Sequence, residues 1–142
     1  VLEDMGITKE GWIKRKLNGE YGSLFMSILF NNFYKDKRIL ITGHTGFKGS
    51  WLSLWLYKLG AKVIGYALEP PTEPSLFEIC NLKEKIISVN GDIRDIKKLN
   101  KIFTIYQPEI VFHLAAQSLV RESYKNPVET YETNIMGTVN IL

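Results

Sequence analysis

The glycine string GHTGFKG at residues 43–49 is the feature that most constrains the fold. It follows RILIT (38–42), a short apolar run that is typical of a buried parallel strand. It leads into GSWLSLWLYKLG, in which apolar residues recur at helical spacing before a stop at Gly60. These apolar residues form one predicted helix face, made of Trp51, Leu52, Trp55, Leu56 and Leu59. Glycines at this spacing between a strand and a helix predict a tight turn with close backbone packing.

The same alternation of strand and helix continues to the end of the chain. Strand patterns recur in AKVIGYAL, KIISVNGDI and EIVFHLAA, and helical patterns recur near 76–82, in DIKKLNKIFTIY and from NPVETYETN onward. Alternation at roughly 25-residue spacing predicts an α/β fold with a Rossmann-type, doubly wound parallel sheet in strand order 3-2-1-4. Such sheets bind ligands at the crevice between strands 1 and 4. Complete sheets of this type have about six strands, so we expect this one to be truncated after about four.

The first part of the sequence lacks this pattern. Residues 1–34 show no sustained periodicity and are punctuated by four glycines. We expect them to be an N-terminal extension of unknown role, with Met26 as a candidate natural start. Residues 35–142 are then the nucleotide-binding domain, incomplete at its C-terminus.

Composition and charge exclude several classes of function. The formal net charge is +3, but its excess lies in residues 1–48 and forms no long basic stripe, which disfavours nucleic acid as a partner. The most apolar segment, residues 51–68, is too short and too interrupted to span a membrane. Cys80 is the only cysteine, and the start lacks a signal-peptide pattern, so we expect a cytoplasmic protein. The two histidines and the one cysteine are scattered, which predicts no metal site.

The glycine string also indicates the ligand. Gly43 permits the turn out of the strand, Gly46 leaves the backbone open to a pyrophosphate, and Gly49 lets helix and strand approach each other. The N–H groups and the dipole at the start of a helix attract phosphates. We therefore expect this loop to bind NAD(H), with Lys48 either near a phosphate or solvated. We expect His44 to be structural or a minor cofactor contact.

The end of strand 2 bears on the choice between NAD and NADP. The acid that usually bonds the adenosine ribose should lie about 20 residues after the loop. Ala67 and Leu68 stand there, and the nearest acid is Glu69. No arginine occurs between Arg38 and Arg94 to meet a 2′-phosphate. These residues favour NAD.

The ends of strands 3 and 4 complete the predicted cleft. Asp92 follows strand 3, where it either accepts a hydrogen bond from the adenine amino group or caps the following helix. After strand 4, Ala115 and Ala116 are small enough to let a cofactor lie close to the backbone. His113, within that strand, is predicted to be a hydrogen-bonded core residue.

Several segments together resemble a known family. They are GHTGFKGSWLSLWL, GDIRD, IVFHLAAQSLVRESYKNPVETYETN and IMGT. They resemble the extended short-chain dehydrogenase/reductases and, among these, the 4,6-dehydratases that act on CDP-glucose, from about Phe33 to Leu142. The resemblance implies bound NAD and a lyase reaction on a nucleotide sugar. The glucose unit would be oxidised at C4, lose water across C5 and C6, and be reduced at C6, giving CDP-4-keto-6-deoxyglucose.

The resemblance assigns cofactor-binding roles residue by residue. The pyrophosphate loop would be formed by Gly43, Thr45, Gly46, Phe47, Lys48 and Gly49. The adenine end would be formed by Asp92 and Ile93. The nicotinamide side would be formed by Leu114, Ala115, Ala116 and Gln117.

The same resemblance places four further residues near the reacting groups. Thr133 and Asn134 would lie on the helix that lines the cofactor and catalytic region, with Asn134 as a supporting residue. Ser118 and Arg121 would border the sugar-nucleotide site. Each of the four is also compatible with an ordinary polar position on the surface.

One motif of the family is missing from this sequence. None of the seven tyrosines is followed four positions later by lysine, so the catalytic Tyr-x-x-x-Lys pair is not present. We therefore expect the chain alone to be inactive as a dehydratase. Two alternatives stay open: another nucleotide-sugar dehydratase or epimerase of the same superfamily, and a non-catalytic NAD-binding module. A homo-oligomeric state of the full-length protein also stays open.

Overall fold

The structure is a computed structural model in which residues 29–142 are described. The contacts of the chain divide between Phe33 and Tyr34. Before this boundary, Leu29–Asn32 forms a short 3-10 turn. The predicted N-terminal extension and the candidate start at Met26 lie largely or wholly outside the described residues, so both stay predictions.

Strands and helices alternate through residues 34–142. The strands are β1 (Arg38–Thr42), β2 (Lys62–Ala67), β3 (Ile87–Asn90) and β4 (Ile110–His113). The longer helices are α1 (Phe47–Lys58) and α3 (Ile96–Tyr106), and α2 (Leu76–Ile79) is a single turn followed by the 3-10 turn Leu82–Glu84. The last part contains α4 (Val120–Lys125), α5 (Pro127–Tyr131), a π-helical turn (Glu132–Met136) and α6 (Gly137–Ile141). Among residues 29–142, no helix has the length and hydropathy needed to cross a bilayer.

The four strands form one parallel sheet in the order β3-β2-β1-β4. This confirms the predicted Rossmann-like α/β fold and its strand order. Thr42 at the end of β1 lies opposite Tyr66 of β2 and His113 of β4. The carboxyl ends of the three neighbouring strands therefore meet at one edge of the sheet. Here β2 lies on one side of β1 and β4 lies on the other, so the order of the strands switches at β1.

The main hydrophobic core lies between the sheet and α3. Leu40 of β1 and Ile64 of β2 pack with Leu99 and Ile102 of α3 and with Ile93 from the loop before that helix, and all five side chains are buried. Leu99 and Ile102 of the predicted helical pattern DIKKLNKIFTIY are thus the residues that face the sheet. Asp95 caps α3, because its carboxylate accepts the Lys98 N–H at 3.0 Å.

The buried face of helix α1 overlaps only in part with the apolar face that the sequence predicts, since Leu56 and Leu59 are buried but the two tryptophans are not. Trp51 and Trp55 are 52% and 43% exposed. The buried side of the helix is made of Gly49, Ser50, Ser53 and Leu56.

The cause is the start of the helix. A Cβ on Gly49 would lie 2.0 Å from the Gly43 carbonyl oxygen, so the helix meets the loop backbone at this residue. Position 53 lies on the same side as 49 at helical spacing, and its small serine side chain keeps this part of the helix close to the sheet.

We predict that Ser53→Leu lowers the free energy of unfolding by about 1–3 kcal/mol, because the added carbons have no space against the sheet. Trp51→Leu, on the outer side of the same helix, should change it by less than about 1 kcal/mol. Urea unfolding followed by circular dichroism measures both. The reverse ranking would mean that the aromatic face is the one that packs inward.

Candidate functional site

An open cleft of about 350 Å³ lies at the carboxyl ends of the strands. Its walls come from the glycine loop, from the segments that follow β2, β3 and β4, and from α5 and the π-helical turn. The lining residues are Gly43, Thr45, Gly46, Tyr66, Ala67, Leu68, Glu69, Pro71, Gly91, Asp92, Ile93, Arg94, Leu114, Ala115, Ala116, Gln117, Glu129 and Thr133. This is the crevice beside β1 at which parallel sheets of this order bind ligands.

The three glycines of the loop are needed for different reasons. Gly43 has a φ of 75°, and a Cβ there would lie 2.8 Å from the backbone nitrogen of Ala115. A Cβ on Gly49 would overlap the Gly43 carbonyl. Both residues must therefore be glycine for the backbone to pack as it does.

Gly46 differs from the other two. Its φ of −73° suits any residue, and a Cβ would meet only the Gly43 carbonyl oxygen, at 3.4 Å. The fold itself leaves room for a side chain here, and that room opens into the cleft. Glycine at this position keeps the cleft floor flat, so that another molecule can approach the backbone.

The start of α1 supplies hydrogen-bond donors beside Gly46. Gly46 is the N-cap residue, and the first intrahelical bond in this turn runs from the Ser50 N–H to the Gly46 carbonyl at 2.8 Å. The N–H groups of the preceding helical residues have no partner within the helix and form the positive end of its dipole. Gly46 and these N–H groups together make a site suited to a phosphate.

Two loop residues that the resemblance assigns to the cofactor do not line this cleft with their side chains. Phe47 and Lys48 instead border a separate apolar groove on the outer side of α1, together with Trp51 and Trp55. That groove holds no titratable cluster and lies on the far side of the helix from the strand ends. The contribution of Phe47 and Lys48 to the cleft is therefore limited to their backbone.

His44 lies under the loop rather than in the cleft. Its ring is fully buried, its Nε2 is 2.7 Å from the Ser88 hydroxyl, and its edge meets the Phe77 ring at a centroid distance of 5.3 Å. Burial lowers the pKa of His44 to about 4, against a smaller opposing effect of the Tyr66 carbonyl. The neutral ring supports the loop from below, so His44 is structural.

Asp92 and Arg94 form an ion pair at the end of the cleft beyond β3. Arg94 Nη2 lies 2.6 Å from Asp92 Oδ2, and this hydrogen bond is the main reason that the pKa of Asp92 is lowered. Arg94 also approaches Glu129 at 3.5 Å and Glu132 at 3.9 Å. The guanidinium is thus surrounded by three carboxylates. Asp92 does not cap α3, since Asp95 has that role.

The segment after β2 places a carboxylate at the same end of the cleft. Glu69 lines the cleft, and its Oε1 accepts a hydrogen bond from the Asn90 side chain at the end of β3. The Thr45 hydroxyl donates to the Leu68 carbonyl at 2.9 Å, which ties the glycine loop to this segment. Glu69 is therefore held in place by β3 and points toward the opening.

The end of β4 is fixed to the π-helical turn by a pair of hydrogen bonds. The Gln117 N–H donates to Asn134 Oδ1 at 2.8 Å, and Asn134 Nδ2 donates back to the Gln117 carbonyl at 2.9 Å. Asn134 does not line the cleft, whereas its neighbour Thr133 does. Ser118 and Arg121 are exposed and lie outside the cleft wall.

Sequence reasoning missed several lining residues. Arg94 and Glu129 are the clearest, since they meet only because α5 lies beside the segment that follows β3. No local pattern marks Glu129, which reads as a solvated helix residue. For Arg94 the sequence offered one indication of a place in the cleft, which is its position two residues after Asp92. Within residues 29–142, no cluster of three or more His, Cys, Asp or Glu is suited to a metal ion.

Comparison with known proteins places this architecture in a family. The chain matches the family described as GDP-mannose 4,6 dehydratase over residues 40–142. It is 61% identical over 111 residues to CDP-glucose 4,6-dehydratase of Salmonella typhimurium, and this match covers 78% of the chain and 31% of that protein. It is 39% identical to UDP-glucose 4-epimerase of Halalkalibacterium halodurans, over 73% of the chain and 29% of that protein. The chain thus spans about 30% of the length of these relatives.

Solved structures give the same result. The UDP-glucose 4-epimerase of Thermotoga maritima, solved with UDP-glucose, superposes with a TM-score of 0.65 at 33% identity, covering 72% of this chain and 32% of that one. The enzyme of Stenotrophomonas maltophila, solved with NAD and formylated UDP-arabinopyranose, superposes with a TM-score of 0.65 at 27% identity, covering 73% and 32%. The chain belongs to the GDP-mannose 4,6 dehydratase family, among the nucleotide-sugar dehydratases and epimerases.

Proposed function

We propose that this chain is the NAD-binding part of a nucleotide-sugar 4,6-dehydratase that converts CDP-glucose to CDP-4-keto-6-deoxyglucose. The observation that carries the proposal is Gly46. The fold does not require glycine at this position, yet its absent side chain opens the cleft beside the start of α1. A diphosphate lying on the Gly46 backbone explains why no side chain stands there.

The glycine loop would hold the pyrophosphate of the cofactor. Gly43 and Gly49 shape the loop, Gly46 lets the phosphates approach, and Thr45 fixes the loop to the segment after β2. The N–H groups at the start of α1 would donate to the phosphate oxygens. Since Phe47 and Lys48 direct their side chains elsewhere, they would act through their backbone.

The adenosine end of the cleft favours NAD over NADP. Glu69 would accept hydrogen bonds from the ribose hydroxyls, and its charge would repel a 2′-phosphate. Arg94, the nearest cation in the cleft wall, is already surrounded by Asp92, Glu129 and Glu132. A guanidinium neutralised in this way offers little to an additional phosphate. Asp92 and Ile93 would border the adenine.

The other end of the cleft would receive the nicotinamide. Leu114, Ala115 and Ala116 present small or apolar side chains there, and Gln117 and Thr133 add polar groups. When bound, NAD supplies hydride acceptance and return, and the residues of this chain orient it and shield it from water. The sequence contains no Tyr-x-x-x-Lys, so proton abstraction from the sugar is assigned to no residue of this chain.

The choice of CDP-glucose rests on relative similarity. The relative named CDP-glucose 4,6-dehydratase is 61% identical, whereas the relatives named as UDP-glucose and UDP-glucuronate 4-epimerases are 39% and 37% identical. Both kinds of relative are compared over the same part of the protein. The higher identity to the CDP-glucose relative is what supports CDP-glucose as the substrate.

We predict that Gly46→Ala weakens NAD binding by about tenfold or more, because the methyl group displaces the pyrophosphate from the backbone. The melting temperature should change by less than about 2 °C, since the Cβ has room in the folded protein. Isothermal titration calorimetry and thermal unfolding measure the two effects. Gly49→Ala is the matched comparison and should destabilise the fold itself. Unchanged NAD affinity in Gly46→Ala would contradict the proposed phosphate site.

We predict that Glu69→Gln reduces the preference for NAD over NADP by about tenfold, because the repulsion of the 2′-phosphate is lost. Dissociation constants for both cofactors give the ratio directly. Glu84→Gln, an exposed substitution away from the cleft, is the control and should leave the ratio unchanged. If the ratio in Glu69→Gln equals that of the wild type, the cofactor preference has another origin.

We predict that the full-length protein containing this chain converts CDP-glucose to a 4-keto-6-deoxy product with a kcat/KM at least about 100-fold above that for UDP-glucose or GDP-mannose. Product formation is followed by mass spectrometry. Preferred turnover of another nucleotide sugar would support the wider family function in place of the CDP-glucose one. NAD binding without turnover of any of the three would support a non-catalytic module.

A further inference from the structure

The hydroxyl of Thr42, the last residue of β1, has a defined hydrogen-bond direction. Its Oγ1 accepts the N–H groups of Leu114 at 3.1 Å and Ala115 at 3.2 Å. A hydroxyl oxygen has two acceptor lone pairs and one proton to donate. The Leu114 N–H is shared with the Thr42 main-chain carbonyl, also at 3.1 Å, and the Ala115 N–H bonds the hydroxyl oxygen alone. The hydroxyl proton is then directed to the remaining neighbour, His113 Nδ1, at 2.6 Å.

This direction fixes the proton on the imidazole. Because Nδ1 accepts, the neutral ring carries its hydrogen on Nε2 and donates it to the Thr138 hydroxyl at 3.1 Å. Thr138 in turn donates to the Asn134 carbonyl at 2.6 Å. One oriented chain of hydrogen bonds therefore runs from β1 through β4 and α6 to the π-helical turn.

The two ends of this chain of hydrogen bonds lie against different walls of the cleft. At one end, Thr42 holds the N–H groups of Leu114 and Ala115, whose backbone packs against Gly43. At the other end, Asn134 pairs with the backbone of Gln117 through its side-chain amide. The imidazole of His113 joins the two ends, because it bonds Thr42 on one side and Thr138 on the other.

We propose that His113 is a positioning residue, which as the neutral Nε2–H tautomer holds the segment Leu114–Gln117 and Asn134 in register for the nicotinamide half of the cofactor. The proposal rests on the NAD site proposed above. Its action is indirect, because His113 does not line the cleft. Without the imidazole, Thr138 and the π-helical turn lose their hydrogen-bonded link to Thr42 of β1.

Protonation of the ring would break the same chain. A charged imidazole has N–H on both nitrogens, and Nδ1–H would face an oxygen whose lone pairs are already occupied. The groups facing the ring are the hydroxyls of Thr42 from β1 and Thr138 from α6, which are both uncharged. Burial lowers the pKa of His113, and no charged side chain among the described residues adds to that shift. The fold thus selects the neutral form.

The tautomer is tested directly by NMR. The sequence contains only two histidines, so ¹⁵N-labelled protein gives two imidazole spin systems, which His44→Gln separates. The inference requires a protonated Nε2 and an unprotonated Nδ1 at His113, with or without cofactor. A protonated Nδ1 on the neutral ring would overturn it, whatever the protein binds.

The positioning role is tested by comparing NAD with ADP, which carries only the adenosine and diphosphate. His113→Phe keeps a ring without hydrogen bonds, and Thr138→Val removes the next member of the chain. Each should weaken NAD binding by about tenfold and ADP binding by less than about twofold. Thr104→Val is the matched control, since this exposed hydroxyl on α3 also bonds a carbonyl four residues back, at 2.8 Å.

The outcomes separate this inference from the function on which it rests. Wild-type protein that binds NAD, with variants that lose NAD and ADP affinity equally or lose only thermal stability, would make His113 an ordinary core residue. If His113→Phe does not fold, Thr138→Val decides the question in the same way. Wild-type protein that binds neither NAD nor ADP would remove the proposed cofactor site and the positioning role with it.

Discussion

The structure depends on the close approach of three backbone segments at the end of β1. The Gly43 carbonyl lies where a Cβ of residue 49 would stand, and the backbone of Ala115 lies where a Cβ of residue 43 would stand. The Gly43 N–H also bonds the Tyr66 carbonyl of β2 at 2.9 Å. The loop, the start of α1 and the end of β4 are thus placed relative to one another by main-chain contacts. Side chains can only adapt to that arrangement.

Helix α1 shows the consequence most clearly. Its distance from the sheet is set at Gly49, and the serine at position 53 on the same side is small enough to keep that distance. The Ser50 hydroxyl donates a hydrogen bond to the His44 carbonyl at 3.0 Å, inside the turn. The tryptophans are left on the outer side, although they carry the largest hydrophobic surface in the helix. Close backbone packing outweighs side-chain hydrophobicity here, because the contact between Gly49 and the Gly43 carbonyl fixes which side of the helix faces the sheet.

The same reasoning separates what the sequence could predict from what it could not. The strands, the glycine loop and the inward position of Leu99 and Ile102 in α3 follow from local patterns, and the strand order follows from the right-handed crossovers of parallel sheets. All of them appear in the structure. The orientation of α1 does not, because periodicity gives the position of an apolar face without saying what it meets. The meeting of Arg94 with Glu129, and the π-helical turn at Asn134, depend on how α5 lies beside the segment that follows β3. No window of neighbouring residues contains that information.

The two histidines illustrate how polar groups are accommodated around such a backbone junction. Each comes directly from a segment that touches Gly43, each is held neutral by burial, and each bonds a hydroxyl on a neighbouring element. A neutral imidazole is suited to this position because it joins two elements without introducing a charge beside the proposed phosphate site. An ionised side chain there would change the potential at the start of α1, and an apolar one would leave the Thr42 proton without an acceptor. The junction therefore requires a polar, uncharged and rigid bridge, which neutral histidine provides.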